Sequence, residues 1–256
     1  MRIVRFLYKK KMLWGVVKKD IVCVLKQDPF NKISVSKQYI PFEKVKLLAP
    51  TQPSKIILAG LNYTDHAREL NMKKPKQPII FLKPATSLIA AGQDIIYPEM
   101  VSRLDYEAEL AIIIKKKAKN IKASKVRDYI LGYSCLNDVT ARDLQEKDGQ
   151  WTRAKSFDTF CPVGPWIETN INPRALKITS YLNGKIKQNS CTSNFIFSVP
   201  FLVSFISQVM TLLPGDIIST GTPPGVGPMK PNDMIEIEIE GIGRLQNRVI
   251  VNRSIK

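Results

Sequence analysis

Along the first 27 residues apolar and polar positions alternate in short runs, IVRFLY, LWGVV and DIVCVL, separated by Lys-rich breaks. Period-two runs of this kind predict a small β-meander. Pro41, Pro50 and Pro53 mark a connector and set a boundary near Thr51, which divides an N-terminal β segment, 1–50, from a main body, 51–256. From Lys55 onward the strand-like runs KIILAG, PIIFLK, DYEAELAIII, ILGYSCLNDV, ITSYLNGK, DIISTG and MIEIEIEG dominate, most of them bounded by Gly or Pro. Only SVPFLVSFISQVMTLL and short pieces near His66, Val126 and Arg142 carry helical spacing. The pattern predicts an α+β fold, mainly β, with few helices and no repeat that would suggest a solenoid.

A chain of 256 residues with 44% hydrophobic and 24% charged positions can bury one sizeable core, with or without a small appendage. The four cysteines, Cys23, Cys135, Cys161 and Cys191, are scattered without metal-ligand spacing, so they read as buried free thiols. The first residues lack the continuous apolar stretch of a signal peptide, and no run reaches the roughly 20 apolar residues of a membrane helix. A cytoplasmic protein with no membrane partner is expected. The net charge of +17, from 39 Lys and Arg against 22 Asp and Glu, fits a basic proteome, an anionic substrate or a nucleic-acid partner. Its lysine clusters, such as Lys115-Lys116-Lys117, lack the interleaved aromatics of a stacking platform, so no nucleic-acid partner is expected. A noncatalytic basic nucleic-acid-binding protein remains the alternative from a different class.

The segment Leu104-Asp105-Tyr106-Glu107-Ala108-Glu109-Leu110 alternates strictly, which in one strand puts Asp105, Glu107 and Glu109 on a single face. A solvated edge strand presents such a face; so does a site for a hard cation, which offsets the repulsion between carboxylates. Asp138 ends a second strand-like run beside a helix start, where it can supply another carboxylate or simply cap the helix. An all-oxygen set suits Mg²⁺ or Mn²⁺ and leaves positions open for water and a chelating substrate.

His66 is the sole histidine, which rules out a three-histidine zinc site. Helical spacing puts Glu69 on its face, as a general base or as an ordinary surface pair. Lys155, where the chain turns toward a Pro- and Gly-rich strand, can bind a carboxylate, form a Schiff base or make a surface salt bridge. The loop after Ile218, STGTPPGVG, offers backbone N–H groups to an anion or is a plain tight loop. It lacks the GK[ST] of a phosphate loop, and the chain has no GxGxxG.

In their order and spacing, NYTDHARE, FLKPATS, LDYEAELA, GYSCLNDVTARDLQ, AKSFDTFCPVGPW, TSNFIFSVPFLVSFIS, TLLPGDIISTGTPPGVGP and IEGIGRLQNRV resemble the fumarylacetoacetate hydrolase superfamily, over roughly residues 55–251. The small branch of acylpyruvases, 2-hydroxyhepta-2,4-diene-1,7-dioate isomerases and oxaloacetate decarboxylases is the better match. The resemblance implies a rolled mixed β-sheet, a homodimer, and Mg²⁺ or Mn²⁺ held by Glu107, Glu109 and Asp138. It also implies a base dyad of His66 and Glu69 on a short lid helix, an active-site Lys155, and a substrate pocket lined by Lys83, Arg142, Gln145 and Thr222. The expected activity is carbon–carbon hydrolysis of an acylpyruvate or fumarylpyruvate through a metal-stabilised enolate. Isomerisation, tautomerisation and decarboxylation of related 2-oxo acids are the alternatives.

Overall fold

The computed structural model describes residues 1–251, so the last five residues of the 51–256 body lie outside the described residues. In chain order the strands used below are β1 (Arg2–Tyr8), β2 (Lys11–Lys18), β3 (Ile21–Leu25), β4 (Val35–Pro41), β5 (Ile56–Ala59), β6 (Ile80–Lys83), β7 (Leu104–Tyr106), β8 (Ala108–Ile114), β9 (Ile130–Asn137) and β10 (Cys161–Glu168). They continue with β11 (Lys177–Leu182), β12 (Lys185–Cys191), β13 (Ile217–Ser219), β14 (Met234–Ile239) and β15 (Gly243–Val251). The α-helices are α1 (Thr64–Glu69), α2 (Arg142–Asp148), α3 (Thr152–Lys155) and α4 (Val199–Val209).

The N-terminal meander forms as the alternation requires. Positive φ at Lys9 and Lys10 closes the β1–β2 hairpin, and Lys19 turns β2 into β3. Val4, Phe6, Val22, Val24 and Ile40 give this segment a small core of its own. It is nevertheless continuous with the body, because β1 pairs antiparallel with β10 at Arg2↔Glu168 and Ile3↔Ile167. The large mixed sheet therefore runs β4–β3–β2–β1–β10–β9–β8–β13–β5–β6.

A second sheet carries β12–β11–β14–β15 and ends on residues 95–97. Along β14, Ile235, Ile237 and Ile239 are buried while Glu236 and Glu238 pair with Arg244 outside, so MIEIEI reads as one apolar and one polar face. Strand β8 has no polar face. Leu110, Ile112 and Ile114 join the core shared with the second sheet, and Ala111 and Ile113 join a core on the opposite side. A strand covered on both faces needs the unbroken apolar run AIII. Helix α4 packs Val199, Leu202, Val203 and Ile206 inward, at the spacing the sequence predicts.

One expectation changes. The acidic segment is not one strand: it breaks at Glu107, and β7 joins a separate three-stranded sheet with residues 140–141 and 227–229. Nor is it a solvated edge, because β8 lies between β9 and β13, and Asp105, Glu107 and Glu109 are 0%, 7% and 1% exposed.

Candidate metal centre and active site

The break at Glu107 separates the acids. Asp105 stays with β7 and accepts from Arg103 Nε at 3.0 Å and Arg142 Nε at 2.9 Å, so it does not join a three-acid face. Glu107 and Glu109 meet Asp138 instead, with one oxygen of each within 4.8 Å of the others and all three side chains buried. Asp138 is not a helix cap: α2 begins after Ala141 and has no side-chain cap. The turn that presents it is closed by Asp138 N–H to Glu107 O, 2.9 Å, and Thr140 Oγ1 to Asp138 O, 2.8 Å.

Each carboxylate is gripped by this chain. Arg142 Nη2 and Lys155 Nζ donate to the two oxygens of Glu107. Lys155 Nζ also reaches Asp138 Oδ2 at 2.5 Å. Ser219 Oγ and Gly221 N–H both donate to Glu109 Oε2, which leaves Oε1 for another partner. Burial pushes the Glu107 carboxyl up, but Lys155 and Arg142 outweigh it and hold it down at about 2. Burial also pushes Glu109 up; there the neighbouring Asp138 and Glu107 charges add to it and carry that carboxyl well above the usual range despite Ser219. Of the two, Glu109 is the one that keeps its proton to higher pH.

A compact set of carboxylate oxygens with excess negative charge fits a hard divalent cation, and no sulfur or imidazole in it would favour a softer metal. Lys155 is neither a surface residue nor a free amine. Burial lowers its pKa, but Asp138 and Glu107 raise it further, and a fully protonated ammonium is no Schiff-base nucleophile. Lys83 stands behind the cluster, outside the cavity lining. Its Nζ donates to the Val139 and Phe160 carbonyls at 2.8 and 2.6 Å and lies 2.6 Å from Asp138 Oδ1 in an ion pair without hydrogen-bond alignment.

A cavity of about 190 Å³ opens onto the acids. Arg142, Gln145, Lys155, Thr222 and His66 line it with them, and Leu61, Met72, Ile79, Phe81 and Trp151 form its apolar wall. Arg142 is held by Asp105, Gln145 and Glu107 together. His66 Nδ1 is 2.7 Å from Glu69 Oε2, and Gly225 N–H donates to Glu69 Oε1 at 3.0 Å. Two N–H groups of the glycine-rich loop are thus spent on this chain's own carboxylates, Gly221 on Glu109 and Gly225 on Glu69.

Ser219, Trp151 and Gln188 escaped the sequence reading. A hydroxyl inside the apolar run DIISTG was the available sign for Ser219. Gln188 gave none: β12 reads KIKQNSC, with no apolar period. Yet Gln188 is fully buried, accepts from Ala108 N–H between the two glutamates and donates to Thr222 Oγ1 at 2.8 Å.

Residues 55–250 match the family model for the fumarylacetoacetate hydrolase C-terminal domain, and residues 1–50 match an N-terminal family described as Rv2993c-like. The mitochondrial oxaloacetate tautomerase of Rattus norvegicus is 44% identical over 223 residues, 82% of this chain and 71% of the relative. A solved 2-hydroxyhepta-2,4-diene-1,7-dioate isomerase from Mycobacterium marinum is 41% identical, covers 99% of both chains and superposes with a TM-score of 0.93. A maleylpyruvate hydrolase from Sphingobium, solved with manganese(II) and pyruvate, is 31% identical over 98% of this chain and 99% of its own, with a TM-score of 0.81. Hydrolase, isomerase and tautomerase thus share this architecture, and the chain belongs to the fumarylacetoacetate hydrolase family of enzymes.

Proposed function

We propose that the protein is a divalent-cation-dependent enzyme that hydrolyses the carbon–carbon bond of an acylpyruvate-type 2-oxo acid. The observation that carries this reading is the meeting of Glu107, Glu109 and Asp138 with the His66–Glu69 pair around one cavity of small-molecule size. Mg²⁺ or Mn²⁺ held by the three carboxylates would polarise the 2-oxo carbonyl and offset the negative charge that develops there.

The side chains supply the rest. Glu69 holds the Nδ1 side of the imidazole, so Nε2 of His66 is the free nitrogen that takes a proton from water. The resulting hydroxide attacks the distal carbonyl; the carbon–carbon bond breaks, its electron pair passes to the pyruvate fragment, and protonation there completes pyruvate and a carboxylic acid. Lys155 and Thr222 line the same cavity and stabilise developing oxyanion charge.

A second reading has its own support in the named relatives, a tautomerase and an isomerase. In that chemistry no water adds, and His66 carries a proton between carbon and oxygen. The deciding experiment incubates the protein with acylpyruvates, oxaloacetate and 2-hydroxydienoates, with and without Mg²⁺ or Mn²⁺, and follows products by NMR. Pyruvate plus a free carboxylic acid, formed only with metal and lost in His66→Ala, supports hydrolysis. Enol–keto conversion without fragments moves the assignment to tautomerisation, and no metal-dependent turnover of any substrate sinks both.

A further inference from the structure

Helix α1 carries both members of the base pair on six residues, with no side-chain cap at its start. So short a helix has little stability of its own, and something else must fix where the imidazole sits. The residue that does so adjoins the histidine. Asp65 Oδ2 accepts from Ser190 Oγ at 2.5 Å and from Asn194 Nδ2 at 3.1 Å, while Asp65 Oδ1 accepts the His66 backbone N–H at 3.0 Å. Asn194 Nδ2 also reaches Ser190 Oγ at 3.1 Å, which closes the three side chains into a ring.

The other end of α1 is tied to the same strand. Glu69 accepts from Gly225 N–H, and Gly225 lies so close to β12 that a Cβ there would stand 2.4 Å from the Lys187 carbonyl oxygen. Ser190 is the penultimate residue of β12, and Asn194 follows three residues after its end. Strand β12 and the turn after it therefore hold α1 at Asp65, and the loop that grips Glu69 lies against the same strand. Asp65 lies outside the cavity lining, so a direct role with substrate is not what keeps a carboxylate there. Ordinary surface anchoring would need one hydrogen bond; this carboxylate makes three, one of them to the backbone of the histidine itself.

We propose that Asp65 is a positioning residue for the base: its latch to Ser190 and Asn194 fixes the imidazole so that Nδ1–H stays on Glu69 and Nε2 stays free. This rests on the reading of His66 as the base. Displacement of a catalytic group by about 1 Å costs on the order of a hundredfold in rate, so the latch controls turnover without touching substrate.

His66 is the only histidine, so ¹⁵N-histidine labelling yields a single imidazole spectrum that reports its tautomer without reference to activity. In the wild-type protein one protonated Nδ1 and one bare Nε2 are expected. In Asp65→Ala the spectrum should broaden or move toward the tautomer mixture of Glu69→Gln, and kcat should fall on the order of a hundredfold with KM changed far less. Asp65→Asn, which keeps a carbonyl acceptor for Ser190, should recover part of both. Should Asp65→Ala fail to fold, the Ser190→Ala, Asn194→Ala pair, which leaves α1 untouched, gives the same readout. An unchanged imidazole spectrum in latch variants that fold overturns the proposal while leaving His66 as the base. Turnover that survives His66→Ala instead overturns the base reading, and this inference with it.

Discussion

Glu107 and Glu109 stand two residues apart and their pKa values shift in opposite directions: burial raises both, but Lys155 and Arg142 outweigh it at Glu107, whereas the Asp138 and Glu107 charges add to it at Glu109. A metal ligand must be deprotonated, so on the proposed reading cation binding has to expel the proton that Glu109 keeps. Mn²⁺ affinity should accordingly rise with pH from the ordinary carboxylate range up to the raised Glu109 pKa and level off above it. Calorimetry in buffers of differing ionisation enthalpy should register the proton released. The same shift fixes a stability trend for the metal-free chain. The folded state binds this proton more tightly than the unfolded chain, so Glu109 favours folding below the unfolded pKa, and that contribution is lost as pH rises through the folded one. Glu109→Gln should remove this pH dependence and weaken Mn²⁺ binding by roughly tenfold or more. At this scale the sequence revealed residue types and period. It could not reveal that Asp105 leaves the group, because that depends on the break between strands at Glu107 and on Arg142, 37 residues away. It also could not place Lys83, whose neighbours Val139 and Phe160 come from distant segments.

Strand β9 approaches β10 so closely at Gly132 that a Cβ would stand 2.5 Å from the Glu168 carbonyl oxygen and 2.6 Å from an Ile167 methyl. Backbone cannot yield there as a flexible side chain can. Gly132→Ala should destabilise by about 1–3 kcal/mol, read as a lower urea midpoint with unchanged m-value. The apolar wall of the cavity offers a second test. Phe81 on β6 and Trp151, just before α3, meet edge to face at 5.0 Å beside Lys155. Trp151→Ala should raise KM about tenfold with a smaller effect on kcat, because the wall binds ground and transition states alike. Elements with an apolar period, such as β8, β14 and α4, were legible in advance. Strand β12 was not: its residues serve α1, the glycine-rich loop and the acidic strand through side-chain hydrogen bonds, which leave no hydrophobic rhythm.

Among the described residues Asp105, Glu107, Glu109, Asp138, Glu168 and Asp216 are buried, and so are Arg5, Lys83 and Lys155, so the charges that make up the net +17 are carried mainly on a basic accessible surface. An anionic 2-oxo acid should be drawn to such a surface, and kcat/KM should fall as ionic strength rises from about 0.01 to 0.15 M, over which the screening length shortens from roughly 30 to 8 Å. A rate constant indifferent to salt would count against steering. Among the described residues no helix is long and apolar enough to cross a membrane. The mainly β class was legible from the runs of alternation, whereas the strand order, with β1 beside β10, was not, since that pairing joins segments more than 150 residues apart.

The ammonium of Lys155 between Glu107 and Asp138 bears on the order of events in the life of the chain. Lys83, Arg142 and Lys155 already pair with the carboxylates of Asp105, Glu107 and Asp138, so part of the cluster's negative charge is offset before any ion arrives. Unlike a zinc finger, such a chain is expected to reach its fold without metal. Treatment with a chelator should abolish turnover while leaving a cooperative melting transition, and Mn²⁺ at a hundred times its Kd should add back about 2.7 kcal/mol. On the proposed reading the cation would then be a late and exchangeable recruit to a scaffold that folds without it.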